Sequence, residues 1–206
     1  MNPEEPFAAI PPGVTLYLAR HGETLANTQQ RFSGKRDTPL TDRGREQAQA
    51  IGEILKRECD VPPSLNFVSS PLARAQATMR IVREVLALPP GSFSTDARLE
   101  EIDLGLWDQL TDTQARALDP AFFEARVANK WQVRVPEGEN YAEVAARACD
   151  WAVSLTADTF AVSHGALGRI LRGLLLGLTW QEMSNMDEPQ GVVFRIRGNE
   201  VVRLDP

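Results

Sequence analysis

Three short apolar runs, all rich in residues that favour β-structure, divide the chain: VTLYLA (residues 14–19), LNFV (65–68) and TFAVS (159–163). Runs of this length are typical of strands buried on both faces of a parallel sheet. Each is followed by a segment in which apolar residues recur at helical spacing. This alternation predicts an α/β fold, with a mostly parallel central sheet and helices on both of its faces.

Capping residues predict where two of these helices begin. Thr41 or Asp42 precedes an apolar face that recurs through residues 48–55, and either side chain can accept a hydrogen bond from the first turn. Asn140 and Glu143 form a capping-box pattern ahead of another apolar face. Both helices are predicted to pack on the sheet through these faces.

A third helix is predicted to start at the sequence SSPLAR. Ser70 is a suitable N-cap residue, and Pro71 then occupies the first helical position, where proline is tolerated. This register puts Arg74 in the first turn of the helix.

The end and the middle of the chain have different patterns. Residues 192–197 and 200–204 flank a Gly-Asn pair, which predicts a β-hairpin at one edge of the sheet. Residues 110–135 are amphipathic and aromatic, without a strand pattern, and predict a small, lid-like helical insertion. Phe122, Phe123 and Trp131 either cover an apolar part of a substrate or form the core of this cap, and the core is favoured.

The composition and net charge of the chain argue against several classes of function. With 206 residues, 43% hydrophobic and 24% charged, the chain is typical of one globular domain, assigned to residues 14–206 after a loose N-terminal leader at 1–13. The net charge of -6 argues against nucleic-acid and membrane partners. Two distant cysteines, Cys59 and Cys149, indicate neither disulfides nor a thiolate metal site, and they fit a cytoplasmic protein. The most apolar stretch, residues 170–178, contains Arg172 and is too short to span a membrane.

The two histidines of the chain have matching surroundings. His21 and His164 each follow an apolar run and precede a glycine. Because the carboxyl ends of parallel strands meet at one edge of a sheet, both imidazoles are expected in one site. Arg20 precedes the first, and after the second Gly165 and Ala166 begin a helix with unpaired N–H groups, so the site favours an anion. A metal site is disfavoured by these cationic neighbours.

Six motifs occur along residues 14–178 in a characteristic order: RHGETLAN, RFSGKRDTPLTDRGREQA, SSPLARAQAT, RLEEIDLGLWD, PEGENYAEV and VSHGA. Together they resemble the histidine phosphatase superfamily, which is also called the phosphoglycerate mutase-like family. The resemblance implies that His21 attacks phosphorus and becomes phosphohistidine. It further implies that Arg20, Arg74 and His164 hold the phosphoryl oxygens, with Asn27 as an added donor. It implies no metal and no other cofactor.

Two acidic motifs supply the remaining candidates. The resemblance assigns proton transfer to Glu101, although Glu100 and Asp103 have the same chemical type, and the register of the motif favours Glu101. Glu139 either hydrogen-bonds groups of the active site or only favours the start of a helix, and both readings stay open.

The arginine-rich motif after the first histidine offers residues for the substrate mouth. Arg31, Ser33 and Gly34 are assigned to substrate binding by their positions in RFSGKRD. For Lys35 and Arg36, a solvated turn is the favoured interpretation.

The sequence thus predicts a metal-independent phosphatase that hydrolyses a small phosphorylated metabolite. One alternative is a phosphoglycerate mutase, but mutases of the family carry a longer basic insertion, and here the cations are scattered (Arg116, Arg126, Lys130 and Arg134). A phosphate-recognising module without catalysis is another alternative, although such a module should have lost residues that are all present here (His21, Arg74, Glu101 and His164). A homodimer is compatible with the sequence, which does not decide it.

Overall fold

A computed structural model describes residues 10–58 and 65–206. Six strands form one sheet in the order β3-β2-β4-β1-β5-β6. The strands are β1 (Thr15–Arg20), β2 (Asn66–Ser69), β3 (Ser94–Thr95), β4 (Thr159–Ser163), β5 (Val193–Arg197) and β6 (Glu200–Leu204). The first four run parallel, whereas β5 and β6 are antiparallel additions next to β1. The predicted mostly parallel sheet and its closing hairpin are confirmed.

Eight helices occur in the described residues: α1 (Leu25–Thr28), α2 (Asp42–Glu58), α3 (Ala73–Val85), α4 (Asp112–Leu118), α5 (Pro120–Ala128), α6 (Tyr141–Val153), α7 (Gly165–Leu175) and α8 (Trp180–Asn185). The described residues also contain two short 3₁₀ helices, Ala97–Leu99 and Gly105–Trp107. The segment expected to be helical, residues 110–135, contains α4 and α5. None of the described helices is long and apolar enough to cross a lipid bilayer.

The helices cover both faces of the sheet because neighbouring residues of a strand point to opposite sides. Leu16 and Leu18 of β1 belong to the core that includes the buried faces of α6 and α7. Tyr17 and Ala19 belong to a second core, formed with α2 and α3. Continuous burial along β1 therefore follows from two-sided packing, as the apolar run predicted.

The start of α3 differs from the sequence prediction. The helix begins at Ala73, and the expected cap, Ser70, lies three residues before it. The cap comes from a distant loop, since the Asp37 carboxylate accepts hydrogen bonds from the N–H groups of Ala73 (2.7 Å) and Arg74 (3.2 Å). Arg74 lies in the first turn, as expected, but Pro71 lies outside the helix.

The other predicted helix starts are confirmed. The Thr41 hydroxyl accepts a hydrogen bond from the Gly44 N–H at 3.0 Å at the start of α2, which decides between Thr41 and Asp42. Asn140 and Glu143 form the expected capping box of α6.

The aromatic residues of the middle segment separate into different cores. Phe123 is buried with Trp107 in a small cluster, and the two ring centroids are 5.2 Å apart. Phe122 packs edge-on against Trp107, whereas Trp131 lies in the main core beside α6. The favoured core interpretation therefore fits all three rings, although Phe123 also lines the cavity described below.

Part of the predicted leader lies outside the described residues, as does Cys59. Of residues 10–13, which the structure describes, Ile10 is buried in the main core and the Pro11 carbonyl accepts a hydrogen bond from the Val14 N–H. Contact with the core is therefore present already at Ile10.

Candidate active site

The register of β1 and β4 brings the two histidines together. Arg20 is paired with Ser163, so both strands end at the same level of the sheet, and the His21 N–H donates to the Ser163 carbonyl at 3.0 Å. The rings of His21 and His164 lie edge to face with their centroids 5.1 Å apart. Both side chains are buried. The expectation that they share one site is met by this geometry.

The surroundings of His21 leave one ring nitrogen available for chemistry. Its Nδ1 lies 2.8 Å from the Gly22 carbonyl oxygen, which can only accept, so Nδ1 carries the proton. The pKa of His21 is held well below 6.5 by burial and by the positive charges of Arg20 and Arg74. The imidazole is therefore neutral at physiological pH, with its lone pair on Nε2.

His164 has the opposite arrangement. Its Nε2 lies 2.7 Å from the Ser70 hydroxyl, which also accepts a hydrogen bond from the Leu72 N–H at 3.3 Å. The Ser70 proton can then be donated to Nε2, which puts the imidazole proton on Nδ1. This buried Nδ1 has no hydrogen-bond partner within the described chain. The pKa of His164 is also well below 6.5, through burial and the charge of Arg74.

Two arginines supply the positive charge. Arg20 donates from Nη1 to the Glu188 carbonyl at 2.7 Å, and its buried Nε has no acceptor among residues 10–58 and 65–206. Arg74 is 1% exposed and donates to the Asp37 carboxylate at 2.9 Å and to the Gly34 carbonyl at 2.6 Å. These contacts fix both guanidinium groups before any ligand binds.

Of the three carboxylates in RLEEID, Glu101 is the one that reaches the cavity. It accepts hydrogen bonds from the N–H groups of Ile102 (3.0 Å), Ala166 (3.2 Å) and Leu167 (3.3 Å). Glu100 instead forms an ion pair with Lys35, and Asp103 accepts from the Gly105 N–H. The structure therefore places Glu101, and neither Glu100 nor Asp103, at the cavity.

The start of α7 differs from expectation in one respect. Ala166 was predicted to donate its N–H to a bound anion, but that N–H donates to Glu101. A carboxylate of the protein occupies the helix N-terminus because partial positive charge gathers there. Gly165 and Ala166 both still line the cavity.

Glu139 lies one layer behind the cavity. It forms an ion pair with Arg147 and accepts a hydrogen bond from the Asp103 N–H at 2.8 Å. Arg147 in turn donates to the carbonyl oxygens of Glu100 (2.6 Å) and Glu101 (3.1 Å). Glu139 thus acts on Glu101 through Arg147 and is not among the cavity residues.

The remaining candidates lie at the mouth and behind it. Asn27, Arg31 and Ser33 line the cavity, and Arg31 also donates to the Gln109 carbonyl at 2.7 Å. The Gly34 carbonyl accepts a hydrogen bond from Arg74, and Gly34 does not line the cavity. The backbone N–H of Arg36 donates to Asp108, as in an ordered turn.

These residues surround a cavity of about 320 Å³. Its lining includes most of the predicted site residues, namely Arg20, His21, Asn27, Arg31, Ser33, Glu101, Gly165 and Ala166. Apolar and charged residues outside the predicted site also line it, among them Leu104, Trp107, Asp112, Phe123, Arg126, Val127, Lys130, Tyr141 and Arg169. Arg74 and His164 are fully buried and are not among the lining residues. The described residues contain no cluster of three or more His, Cys, Asp or Glu side chains that could hold a metal ion.

Comparison with known proteins identifies the family. The model of the histidine phosphatase superfamily (branch 1) matches residues 16–201. The chain belongs to the histidine phosphatase superfamily. The resemblance inferred from the six motifs is therefore confirmed.

Individual members of the superfamily carry different names. "Probable phosphoglycerate mutase GpmB" of Erwinia tasmaniensis is 32% identical over 168 residues, which cover 79% of this chain and 75% of that protein. The alpha-ribazole phosphatase of Shigella flexneri has a TM-score of 0.77 and 29% identity, covering 94% of this chain and 95% of the other. A mycobacterial glucosyl-3-phosphoglycerate phosphatase has a TM-score of 0.74 and 27% identity, covering 94% and 99%. These similarities support a phosphatase or phosphotransferase activity.

Sequence reasoning missed a segment of the site that precedes β5. The Gln190 side chain donates to the His21 carbonyl (3.2 Å) and to Asn27 Oδ1 (3.1 Å). The Glu188 carbonyl accepts a hydrogen bond from Arg20. The buried carboxylate of Glu188 forms an ion pair with Arg172. The polar run DEPQG, placed just before an apolar strand, was the available signal.

Proposed function

We propose that this protein is a metal-independent phosphatase that hydrolyses a small phosphate monoester through a phosphohistidine on His21. The observation that carries the proposal is the state of the His21 imidazole, which is neutral, has Nδ1–H bound to the Gly22 carbonyl and leaves Nε2 available. Imidazole is nucleophilic only when neutral. The substrate is a small phosphorylated metabolite of the cytoplasm, in keeping with a cavity of about 320 Å³.

In the first half-reaction, Nε2 of His21 attacks phosphorus in line with the ester oxygen. The N–P bond forms and the P–O bond to the leaving alcohol breaks. The leaving oxygen takes a proton from Glu101, whose carboxylate binds that proton from solvent or from the phosphate monoanion before this step. Arg20, Arg74 and His164 stabilise the charge on the three equatorial oxygens.

In the second half-reaction, water attacks the phosphohistidine. Glu101, now ionised, takes a proton from that water, the N–P bond breaks and inorganic phosphate leaves. The Glu139–Arg147 pair holds the backbone of Glu101 in place for both steps.

Phosphoglycerate mutase activity is the second candidate, favoured by the 32% identity with a protein bearing that name. The two activities share the phosphohistidine and differ in the acceptor, which is water in a phosphatase and a hydroxyl group in a mutase. A non-catalytic binding module ranks below both, because neutral His21 and the carboxylate of Glu101 face one cavity.

The first test is phosphate release from p-nitrophenyl phosphate in EDTA, comparing wild type with His21→Ala. We expect activity to survive EDTA and to fall at least about a thousandfold in the variant, since loss of a covalent nucleophile removes a whole reaction route. Arg57→Gln, an exposed change on α2, is the matched control and should behave as wild type.

Trapping the intermediate completes this test. Acid-labile radiolabel from a phosphate donor should attach to wild type and not to His21→Ala. Transfer of label to an added hydroxyl acceptor, with little free phosphate, would favour the mutase. Full activity in His21→Ala, or activity abolished by EDTA and restored by a divalent ion, would contradict the proposal.

A further inference from the structure

The segment before β5 is fixed to two parts of the molecule at once. Arg172 on α7 donates from Nη2 to the Asp187 carbonyl at 2.5 Å and forms a buried ion pair with Glu188. The Glu188 carbonyl in turn accepts a hydrogen bond from Arg20, at the end of β1. Because these contacts hold the backbone from both sides, the side chain of Gln190, two residues further on, extends from a fixed position.

The amide of Gln190 bridges two groups beside the candidate nucleophile. Its Nε2 donates to the His21 carbonyl at 3.2 Å and to Asn27 Oδ1 at 3.1 Å. A backbone carbonyl can only accept, so the atom of Gln190 that faces the His21 carbonyl must be the nitrogen. The backbone at His21 therefore sets the orientation of the Gln190 amide.

The amide of Asn27 is oriented in the same way. The Thr24 N–H donates to Asn27 Oδ1 at 3.1 Å, and since an N–H can only donate, the atom that it meets must be the oxygen. The Asn27 N–H donates to the Thr24 hydroxyl at 3.4 Å, which completes a capping box at the start of α1. Oδ1 of Asn27 thus receives two donors, one from Thr24 and one from Gln190.

This arrangement leaves the amide nitrogen of Asn27 for a ligand. Asn27 lines the cavity, and within the described residues its side chain is bonded at Oδ1 alone. The two ends of a primary amide have nearly the same shape, so only the hydrogen bonds at Oδ1 decide which end is available. Turned the other way, Asn27 would offer an acceptor, which a phosphoryl oxygen repels.

We propose that Gln190 is a positioning residue, which holds Oδ1 of Asn27 so that Nδ2 stays available to donate to a phosphoryl group at His21. The inference rests on the proposed function in one respect, since it takes a phosphoryl group as the ligand of this site. Gln190 itself does not line the cavity and acts through Asn27. Its bond to the His21 carbonyl is the fixed end of the bridge.

NMR of the side-chain amides tests the free donor in the wild-type protein, with inorganic phosphate as the probe. Saturating phosphate should shift the Nδ2–H signals of Asn27, because a charge-assisted hydrogen bond forms there. The Nε2–H signals of Gln190, which is already bonded within the protein, should shift much less. Asn27 signals that do not move would overturn the proposal.

A double-mutant cycle on Asn27 and Gln190 separates positioning from a purely structural contribution. Gln190→Met keeps the length of the side chain and removes both donors. We expect it to raise the dissociation constant of inorganic phosphate, and to lower kcat/KM for p-nitrophenyl phosphate, about 3- to 10-fold, the factor that one hydrogen bond provides. In the Asn27→Ala background the same substitution should change each quantity less than about twofold. Equal effects in both backgrounds would show that Gln190 does not act through Asn27.

Controls exclude a loss of folded protein. Gln181→Met makes the same chemical change at an exposed position of α8 and should behave as wild type. Thermal unfolding is measured for each variant. If Gln190→Met does not fold, Gln190→Glu provides the second variant, since it has the same shape and accepts where Gln190 donates. The Nδ2–H signals of Asn27 should then lose their response to phosphate, and an unchanged response would overturn the proposal.

The outcomes separate this inference from the proposed function. Hydrolysis of p-nitrophenyl phosphate without coupling between Gln190 and Asn27 overturns the positioning role and leaves the phosphatase standing. If no ester is hydrolysed, the proposed function fails, and the cycle is completed with calorimetric binding of inorganic phosphate. Additive effects on that dissociation constant, or no binding of phosphate by wild type, then overturn the positioning role as well.

Discussion

At His164, one hydroxyl group favours a particular position of the imidazole proton. The Ser70 hydroxyl lies 2.7 Å from Nε2, and when it donates to that nitrogen the imidazole proton is on Nδ1, in a ring whose centroid lies 5.1 Å from that of His21. Without this partner the neutral imidazole is released to adopt the other tautomer, whose Nδ1 presents a lone pair to phosphoryl oxygens. Ser70, which acts only through His164, thus influences whether Nδ1 of His164 can donate a hydrogen bond to a phosphoryl oxygen.

We therefore expect Ser70→Ala to lower kcat about tenfold, which corresponds to one hydrogen bond of about 1.4 kcal/mol. Nitrogen NMR of the imidazole should show the proton of His164 shifting from Nδ1 to Nε2. The matched control is Ser69→Ala, because the buried Ser69 hydroxyl donates to a backbone carbonyl and contacts neither histidine. An unchanged tautomer in Ser70→Ala would contradict this assignment.

The site residues that the sequence revealed are placed by local pattern, whereas those it missed are placed by contacts between distant parts of the chain. His21 and His164 are recognisable because each follows its own strand directly, so local pattern fixes their position. Gln190 lies 169 positions from His21, and its role depends on strand pairing that local pattern does not encode. Burial of Arg126 likewise depends on how α5 packs, which is why its place with Lys130 in the cavity lining was not foreseen.

At the scale of elements, the contact between the end of β1 and the start of α2 is exceptionally close. A Cβ atom on Gly44 would lie 2.1 Å from the Glu23 carbonyl oxygen, and one on Gly22 would lie 2.1 Å from the Gly44 carbonyl oxygen. The two backbones can approach so closely because neither residue has a side chain. This contact fixes α2 directly beside His21.

We expect Gly44→Ala to lower the free energy of unfolding by about 2–3 kcal/mol, since the backbone must move to relieve the overlap. Urea unfolding measures this change. Gly91→Ala is the control, because its added methyl group meets no atom within 4 Å and should change stability by no more than about 0.5 kcal/mol. Equal stability of the two variants would disprove the close-contact argument.

Periodicity predicted the main helices but not every boundary. The apolar faces of α2, α3 and α6 follow from spacing alone, and the caps of α2 and α6 lie next to them in sequence. The cap of α3 comes from Asp37, 36 residues before Ala73, so the local signal at Ser70 gave the wrong start. The short strand β3 was missed for a similar reason, since its two exposed residues have no apolar pattern.

For the molecule as a whole, the two buried histidines link stability to pH. Their pKa values in the folded protein lie well below 6.5, whereas the unfolded chain binds protons near pH 6.5. Below pH 6.5 the unfolded state therefore binds more protons than the folded state, and stability falls as pH falls. Well above pH 6.5 the two states hold equal numbers of protons on these residues, so this contribution is complete.

We expect wild type to lose up to about 4 kcal/mol more unfolding free energy between pH 7 and pH 5 than the double variant His21→Asn, His164→Asn. Urea unfolding at both pH values measures the difference, and each single variant should show about half of it. Identical pH dependence in wild type and the double variant would show that the histidines are protonated in the folded state.

The position of β1 in the sheet also sets an order of events during synthesis. β1 is made first among the strands, yet its neighbours β4 and β5 begin at Thr159 and Val193. At about 5–20 residues per second, roughly ten seconds or more separate β1 from its last neighbour, and both its edges lack their partners for most of that time. An unpaired apolar strand can associate with other chains. The nascent protein is therefore exposed to such association during this interval, and the contacts of Glu188 and Gln190 with Arg20 and His21 form only after residues 188–190 have been made.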